Sequence, residues 1–272
     1  MALITLTTDF GLRDPDLGYL KSRILQAIPQ ADLVDISHTS LPFDPEEAIY
    51  IIKNALSEFP QGSFHLIGID SENSTDNPPI LVRTERHYYL GNDNGILPAA
   101  LAGQTYKVYQ LELKPYDSFL NAQIQAVGQL VKRAEPEDFA VATERFKQIK
   151  LAKPLIRYDE KSKKAALITT KVIYNDNYGN AVFNLSRQEF EELRAGRSFS
   201  IKLQHYEIYN INNGYSPQKN TGVITSAGTM FARFNRFGYL EIFIYKSNAL
   251  TGGADTLLGL KKNKIINIVF EG

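Results

Sequence analysis

The sequence predicts a two-part fold: an α/β layer domain over residues 1–152 with a mostly parallel sheet, then a mostly antiparallel β-domain over residues 165–272, a small barrel or sandwich. Three observations carry this expectation. Strand-like runs alternate with amphipathic helical runs through the first half, the pattern of a sheet with helices on its faces. Around residues 150–165 the texture changes, since "KPLIRYDEKSKKAA" is charged and aperiodic, and its charge-rich part "DEKSKKAA" reads as a solvated linker. Beyond it short β-rich segments are joined by turns, with one helical stretch among them.

In order, the first half reads as "ALITLTT" (strand), "YLKSRILQAI" (helix), "ADLVDIS" (strand), "PEEAIYIIKNALSEF" (helix), and the strands "FHLIGID", "ILVRTER" and "HYYLG". The helix from about Pro45 to Phe59 is marked at its start by Asp44 and Pro45, because the first helical turn tolerates a missing N–H, and at its end by Pro60. A further helix runs through "AQIQAVGQLVKRA", where Ile124, Val127, Leu130 and Val131 share one face. The second half reads as the strands "LITTKVIYN", "NAVFNLS", "FSIKLQHYEIYNI", "GVITSAG", "YLEIFIY" and "KIINIVF", with "RQEFEELRAG" as its helix.

Composition narrows the function. Thirty basic and thirty acidic residues give a formal net charge of +0, so no field is built to hold a nucleic-acid backbone or an anionic membrane. The absence of cysteine excludes disulfides, thiolate nucleophiles and thiolate metal sites. The four histidines, His38, His65, His87 and His205, lack metal-ligand spacing, and no metal is expected. His38 and His65 read as structural. The start "MALITLTTDF" has neither the basic residues nor the apolar stretch of a signal peptide, and no run approaches the ~20 apolar residues of a membrane span. The expected location is the cytoplasm.

The strand ends carry the functional signal. In open parallel sheets ligands bind beyond the carboxyl ends of the strands, where loops gather side chains from several strands. "ITLTT" ends at Asp9, Gly11 and Asp14; "LVDIS" at Ser37, His38 and Thr39; "FHLIGI" at Asp70; and "HYYLG" at Asn92, Asp93, Asn94 and Gly95. Each of these is also an ordinary turn or capping residue. Acids that follow strongly apolar strands are costly to desolvate without a partner, however, so the set points to a ligand bearing hydroxyls or positive charge. A carboxylate suits a ribose diol because its two oxygens accept from both hydroxyls. Asp9 and Asp70 are the candidates. The turn "NDNYGN", residues 175–180, is the matching feature of the second half, either as a hairpin loop with Gly179 at positive φ or as a functional turn.

Taken in order, "TTDFGLRD", "LVDISH" with "PFDPEEA", "FHLIGID", "YLGNDNGIL", "VIYNDNYGNAVFNL" and "FGYLEI" resemble the signature of the S-adenosylmethionine hydroxide adenosyltransferases, relatives of fluorinase and chlorinase. The resemblance covers nearly the whole chain. It implies displacement at the ribose C5′ of S-adenosylmethionine by water or hydroxide, with methionine leaving as a neutral thioether and no cofactor. It also implies a homotrimer whose sites lie between the first domain of one subunit and the second domain of its neighbour. In the residues of this chain, Asp70 would act in catalysis, Asp9 would hold the ribose diol, Phe43 would pack beside the nucleoside and Asn94 would contact the ligand. From the β-domain, Asp176 would meet the methionine ammonium, while Tyr178 and Asn180 would bound and read the adenine.

The chain departs from the resemblance where the water would be activated. An arginine and a histidine are expected to assist the acid, yet "SENSTDN" brings Asn77 to the arginine's place and "SFLNAQIQA" brings Leu120 to the histidine's. Asp16 stands where an aromatic is common, and "NRFGYLEI" has Arg236 and Phe237 where a serine is often found. Two alternatives to hydrolysis therefore stand: a non-catalytic nucleoside-binding or sensing homologue, and an enzyme acting on a different adenosyl substrate. Halide use is disfavoured, because "SENS" is polar where an apolar pocket would help strip a halide of water.

Overall fold

A computed structural model of the chain describes residues 2–71, 74–112, 118–212, 226–248 and 252–271. The chain divides into two compact units, Met1–Leu151 and Ala152–Gly272.

The first unit is built on the strands β1 (Ala2–Thr8), β2 (Ala31–Ser37), β3 (Phe64–Gly68), β4 (Pro79–Thr84), β5 (Tyr88–Asn92), β6 (Tyr106–Leu111) and β7 (Ala140–Ala142), and the helices α1 (Asp16–Ala27), α2 (Pro45–Ala55), α3 (Ile96–Ala100) and α4 (Phe119–Val131). The sheet order is β2-β1-β3-β5-β4-β6-β7. The first four of these strands pair in parallel and the rest antiparallel. A mixed, mostly parallel sheet with helices is therefore the outcome, its antiparallel edge supplied in part by the turn between β4 and β5.

Apolar layers on both faces explain why the strands read as continuous hydrophobic runs rather than alternating ones. Leu66 and Leu90 pack with Leu20 and Ile24 of α1 and Ile124 and Val127 of α4 on one face. Ile67 and Val82 pack with Ile49 and Ile52 of α2 and Leu97 of α3 on the other. Asp44 caps α2 by accepting from the backbone N–H groups of Glu46 and Glu47 at 3.2 and 3.3 Å, and Pro45 opens the helix. The helix ends at Ala55, four residues short of the expected Phe59. α4 begins a turn earlier than "AQIQA" suggested, because Ser118 caps it by accepting from Asn121 N–H.

The second unit is an all-antiparallel sheet nearly closed into a barrel. Its strands are β8 (Leu155–Tyr158), β9 (Ala165–Asn175), β10 (Ala181–Ser186), β11 (Phe199–Lys202), β12 (Glu207–Ile208), β13 (Met230–Phe234), β14 (Tyr239–Ile244) and β15 (Ile265–Phe270), with the helices α5 (Arg187–Arg194) and α6 (Ala254–Leu257). The order β12-β11-β15-β9-β10-β14-β13 is brought towards closure by a bridge between Asn212 and Arg233 of β13. Phe190 of α5 plugs the interior against Phe199, Phe234 and Phe270, with ring centroids 5.1 to 6.1 Å away.

Three expectations for this half are corrected. The stretch around residues 150–165 is not a linker throughout: Leu155–Tyr158 forms an edge strand on β9, and Asp159 makes the turn by accepting from the N–H groups of Lys161 and Ser162. Charge there marks an exposed hairpin rather than a tether. "FSIKLQHYEIYNI" is not one strand but β11 and β12 paired around a turn closed by Leu203 N–H and Tyr206 C=O. In "GVITSAG", residues 222–225 lie outside the described residues, and 227–228 form a turn before β13.

Candidate functional site

The connection β1–α1–β2 leaves β1 towards one edge of the sheet, and β2–α2–β3 returns to its other side. The switch point of the first unit therefore lies between the carboxyl ends of β1 and β3, the place where such sheets hold ligands. Asp9 and Asp70 stand there. The Asp70 N–H donates to Asp9 Oδ2 at 3.0 Å, and the Asp9 N–H donates to Gly68 C=O at 3.3 Å. Asp70 takes the bend at φ +46°, a left-handed conformation that a non-glycine residue adopts only when its surroundings over-determine it.

Asn94 is one of the surroundings that do so. Its side-chain amide donates to Ile69 C=O at 2.9 Å and reaches Asp70 C=O at 3.5 Å, and its carbonyl oxygen accepts from Ile96 N–H at the start of α3. Gly68 permits the close approach, since a Cβ there would meet a Thr8 methyl at 3.1 Å and the Phe10 ring at 3.2 Å. Among the described residues the Asp70 carboxylate and Asp9 Oδ1 have no hydrogen-bond partner. Both acids present open acceptors at the rim.

His38 is structural. It is buried, its Nδ1 lies 2.8 Å from Thr8 Oγ1, and its Nε2 lies 3.2 Å from Asp35 Oδ1. Its carbonyl accepts from Gly11 N–H and so anchors the loop after Asp9. His65 sits at the other end of β3, with Nδ1 2.7 Å from Thr5 Oγ1 and the His87 ring centroid 5.0 Å away. Burial, with a smaller contribution from His87, pushes its pKa down to about 3. It is a neutral packing group.

A cavity of about 370 Å³ adjoins the acid corner on the α1/α4 face of the sheet, lined among others by Phe10, Asp16, Gly68, Ser71, Leu120 and Gln123. Leu120 thus faces the cavity, while packing against the core that Phe10 and Leu17 also border. Asn77 is placed differently: its Oδ1 accepts from Lys147 Nζ at 2.7 Å, and Lys147 N–H donates to Asp93 Oδ1. The segment expected to bear an arginine is joined to a cation from elsewhere in the chain. Residues 72 and 73 of "SENSTDN" lie outside the described residues. Phe43 is 69% exposed with φ +58°, on a turn whose other apolar residue, Leu41, is also exposed.

In the second unit "NDNYGN" links β9 to β10. Asp176 Oδ1 accepts from the N–H groups of Tyr178 and Asn180, each at 2.9 Å, and its Oδ2 accepts from the Asn180 side-chain amide at 2.8 Å. Gly179 has φ +74°, and a Cβ there would collide with Asp255 and Gly253. Asn180 is buried and the Tyr178 ring is exposed. Nearby on β14, Glu241 is buried beside Arg233, which lies 2.5 Å away. Burial raises the Glu241 pKa and the Asp176 charge adds to this, against the opposing pull of Arg233.

The sequence expectations thus sort by unit: Asp9, Asp70 and Asn94 meet in one corner, Phe43 projects from a turn of the same unit, and Asp176, Tyr178 and Asn180 share one turn of the other. Sequence reasoning missed Gln123 and Lys147. The first was hidden because a polar residue in an amphipathic helix reads as surface, and the second because it lies far along the chain from Asn77.

Comparison with known proteins agrees with this architecture. The SAM hydroxide adenosyltransferase N-terminal domain matches residues 4–127 and the C-terminal domain of the same family matches residues 170–267. An (R)-S-adenosyl-L-methionine hydrolase of Methanocaldococcus jannaschii is 27% identical over 261 residues, covering 91% of this chain and 90% of the relative. One of Salinispora tropica is 25% identical over 212 residues, covering 74% and 78%. An uncharacterized conserved protein of Thermotoga maritima shares the fold with a TM-score of 0.79 at 21% identity, over 98% of this chain and 99% of that one. With both domain models matched in order along most of its length, the chain belongs to the S-adenosylmethionine hydroxide adenosyltransferase family.

Proposed function

We propose that this protein is a cytoplasmic S-adenosylmethionine hydrolase that forms adenosine and L-methionine. The observation that carries the reading is the pair of open carboxylates, Asp9 and Asp70, at the switch point of a chain of this family. The names of its relatives support it as well. Asp9 holds the ribose diol, with Phe43 beside the nucleoside and Asn94 fixing the bend that presents Asp70. Water attacks C5′ as the C5′–S bond breaks, the electron pair passes to sulphur, and the water proton passes to Asp70 and then to solvent. A sulfonium leaves as a neutral thioether, so the leaving group needs no general acid and the reaction no cofactor. What the protein supplies is in-line placement of the water.

Asp176, Tyr178 and Asn180 complete the site from a second copy of the chain in a homotrimer, Asp176 at the methionine ammonium and the other two at the adenine. Exposed apolar side chains at the rim of the first unit, Leu12, Leu41 and Phe43, support burial by such a neighbour. Light scattering should then give a mass three times the 30.6 kDa of the chain.

Incubation with S-adenosylmethionine and chromatography of the products tests the reaction. Adenosine and methionine formed by the wild type and lost in Asp70→Ala support it, whereas no adenosine above a heat-killed control refutes it. Leu120 and Asn77, at positions expected to help activate water, favour a second reading in which a nucleoside is bound without turnover. That outcome shows as a thermal shift with S-adenosylmethionine, abolished by Asp9→Ala, while the ligand is recovered intact. Turnover of another adenosyl compound alone would identify a changed substrate.

A further inference from the structure

The cavity beside the acid corner contains a polar group that the reading above does not use. Gln123 on α4 is 2% exposed, and its Nε2 donates to Asn92 Oδ1 at 3.0 Å. Asn92 ends β5 and is equally buried. That hydrogen bond fixes which way the Gln123 amide is turned, because an oxygen acceptor must be met by the nitrogen. The second N–H and the carbonyl oxygen of Gln123 have no partner among the described residues. Both groups lie at the wall of the cavity rather than sealed in the core, so an occupant of the cavity can answer them.

Such an occupant must donate and accept from one small centre. Water and a hydroxyl group do so. A halide could take the N–H but would face the carbonyl oxygen, and an ammonium would suit the oxygen but face the N–H. Among the described residues no lysine, arginine or histidine lines the cavity to stabilise an anion. Ser118 and Leu120, in the first turn of α4, add the weak positive end of that helix, which favours an oxygen lone pair. The wall begins at Phe10 and Ser71, the residues directly after Asp9 and Asp70.

We propose that Gln123, held by Asn92, is the positioning residue for a neutral, hydroxyl-type nucleophile, in the space where Leu120 offers no imidazole. The assignment rests on the proposed ribose grip at Asp9 and takes the 5′ end of the nucleoside to point into this cavity, whose wall begins beside both acids. The 5′-hydroxyl of adenosine then occupies the place of the nucleophile after bond formation, and this permits a test that needs no turnover.

Calorimetric titration of adenosine and 5′-deoxyadenosine into wild type, Gln123→Met and Gln123→Glu provides it. The wild type should bind adenosine about tenfold more tightly, the worth of one or two net hydrogen bonds. Gln123→Met should weaken adenosine alone and bring the two nucleosides level, and Gln123→Glu, which keeps an acceptor, should retain part of the preference. If the wild type shows no preference, if Gln123→Met keeps it, or if both affinities fall together, the assignment is overturned. If neither nucleoside binds the wild type, the ribose reading fails and the assignment with it. Where S-adenosylmethionine is turned over, Gln123→Met should lower kcat and leave KM unchanged.

Discussion

The corner at Asp9 and Asp70 and the turn at Asp176 are made of the same residue types and differ in what those residues still have to offer. In the turn, both carboxylate oxygens of Asp176 are occupied by three hydrogen bonds from Tyr178 and Asn180. At the corner, one backbone N–H reaches Asp9, and Asp70 is held through its main chain alone. The difference teaches that a loop carboxylate is left whole for a ligand when the backbone is secured by other means. Asn94 performs that service for Asp70, whereas Asp176 secures its own loop and offers a ligand only the lone pairs that its three hydrogen bonds leave.

Substitutions should expose this contrast. Asp70→Ala should lower adenosine formation by about 10²–10⁴, the worth of a general base, while the melting temperature holds, because no described side chain leans on that carboxylate. Asp9→Ala should weaken nucleoside binding about a hundredfold in calorimetry, since each hydrogen bond to a charged group is worth about 1.5–3 kcal/mol.

Acid should separate the two units. His65 has a folded pKa of about 3 against an unfolded value near 6.5. The unfolded chain therefore binds the extra proton first, and the first unit loses stability as pH falls below about 6.5, by about 2 kcal/mol at pH 5. Glu241 has the opposite sign: its folded pKa is raised, so its contribution is greatest below the unfolded glutamate value and declines as pH rises through the folded one. Hydrogen exchange at pH 7.5 and 5 should show protection falling in β3 and β5 and holding in β14. His65→Leu should reduce the response of the first unit and leave the part carried by His87, whose pKa burial also lowers; an unchanged response in that variant would refute the assignment.

Asp176→Ala should show the stability loss that Asp70→Ala lacks, lowering the second unit by about 1–2 kcal/mol as the turn loses its internal acceptor. A melting curve that does not move would erase the contrast between the regions. The smallest effect should come from Lys147→Met. An exposed lysine paired with Asn77 contributes less than about 1 kcal/mol to stability, so the variant should melt like wild type and be read by kcat alone. A fall beyond about threefold would give Lys147 a share of the missing arginine's work.

The parts of this arrangement that were legible in sequence share a physical cause. Alternation of apolar strands with capped helices exposed the first unit, and acids following "ITLTT" and "FHLIGI" exposed the corner, because desolvated carboxylates are rare without a reason. β6, β7 and β13 and the five-residue α3 were not legible, since short segments with alternating polar residues look like loops until a neighbouring strand pairs with them. Gln123 stayed hidden because its hydrogen-bond partner, Asn92, is 31 residues away, and no local pattern encodes that meeting. Asn94 was expected at the ligand, and its strut-like role depends on carbonyls that only the folded bend brings within reach.

β1 precedes both of the strands that flank it in the sheet, and the acids it helps align are 61 residues apart. During synthesis the carboxylate of Asp9 therefore waits without its partner until β3 has been made, and the bend at Asp70 waits again for Asn94. Closing so long a loop is slow compared with forming a helix, so the waiting strand stays open to β-pairing with other chains. Binding competence should arrive late and all at once, making nucleoside binding a sensitive reporter of the last step in folding.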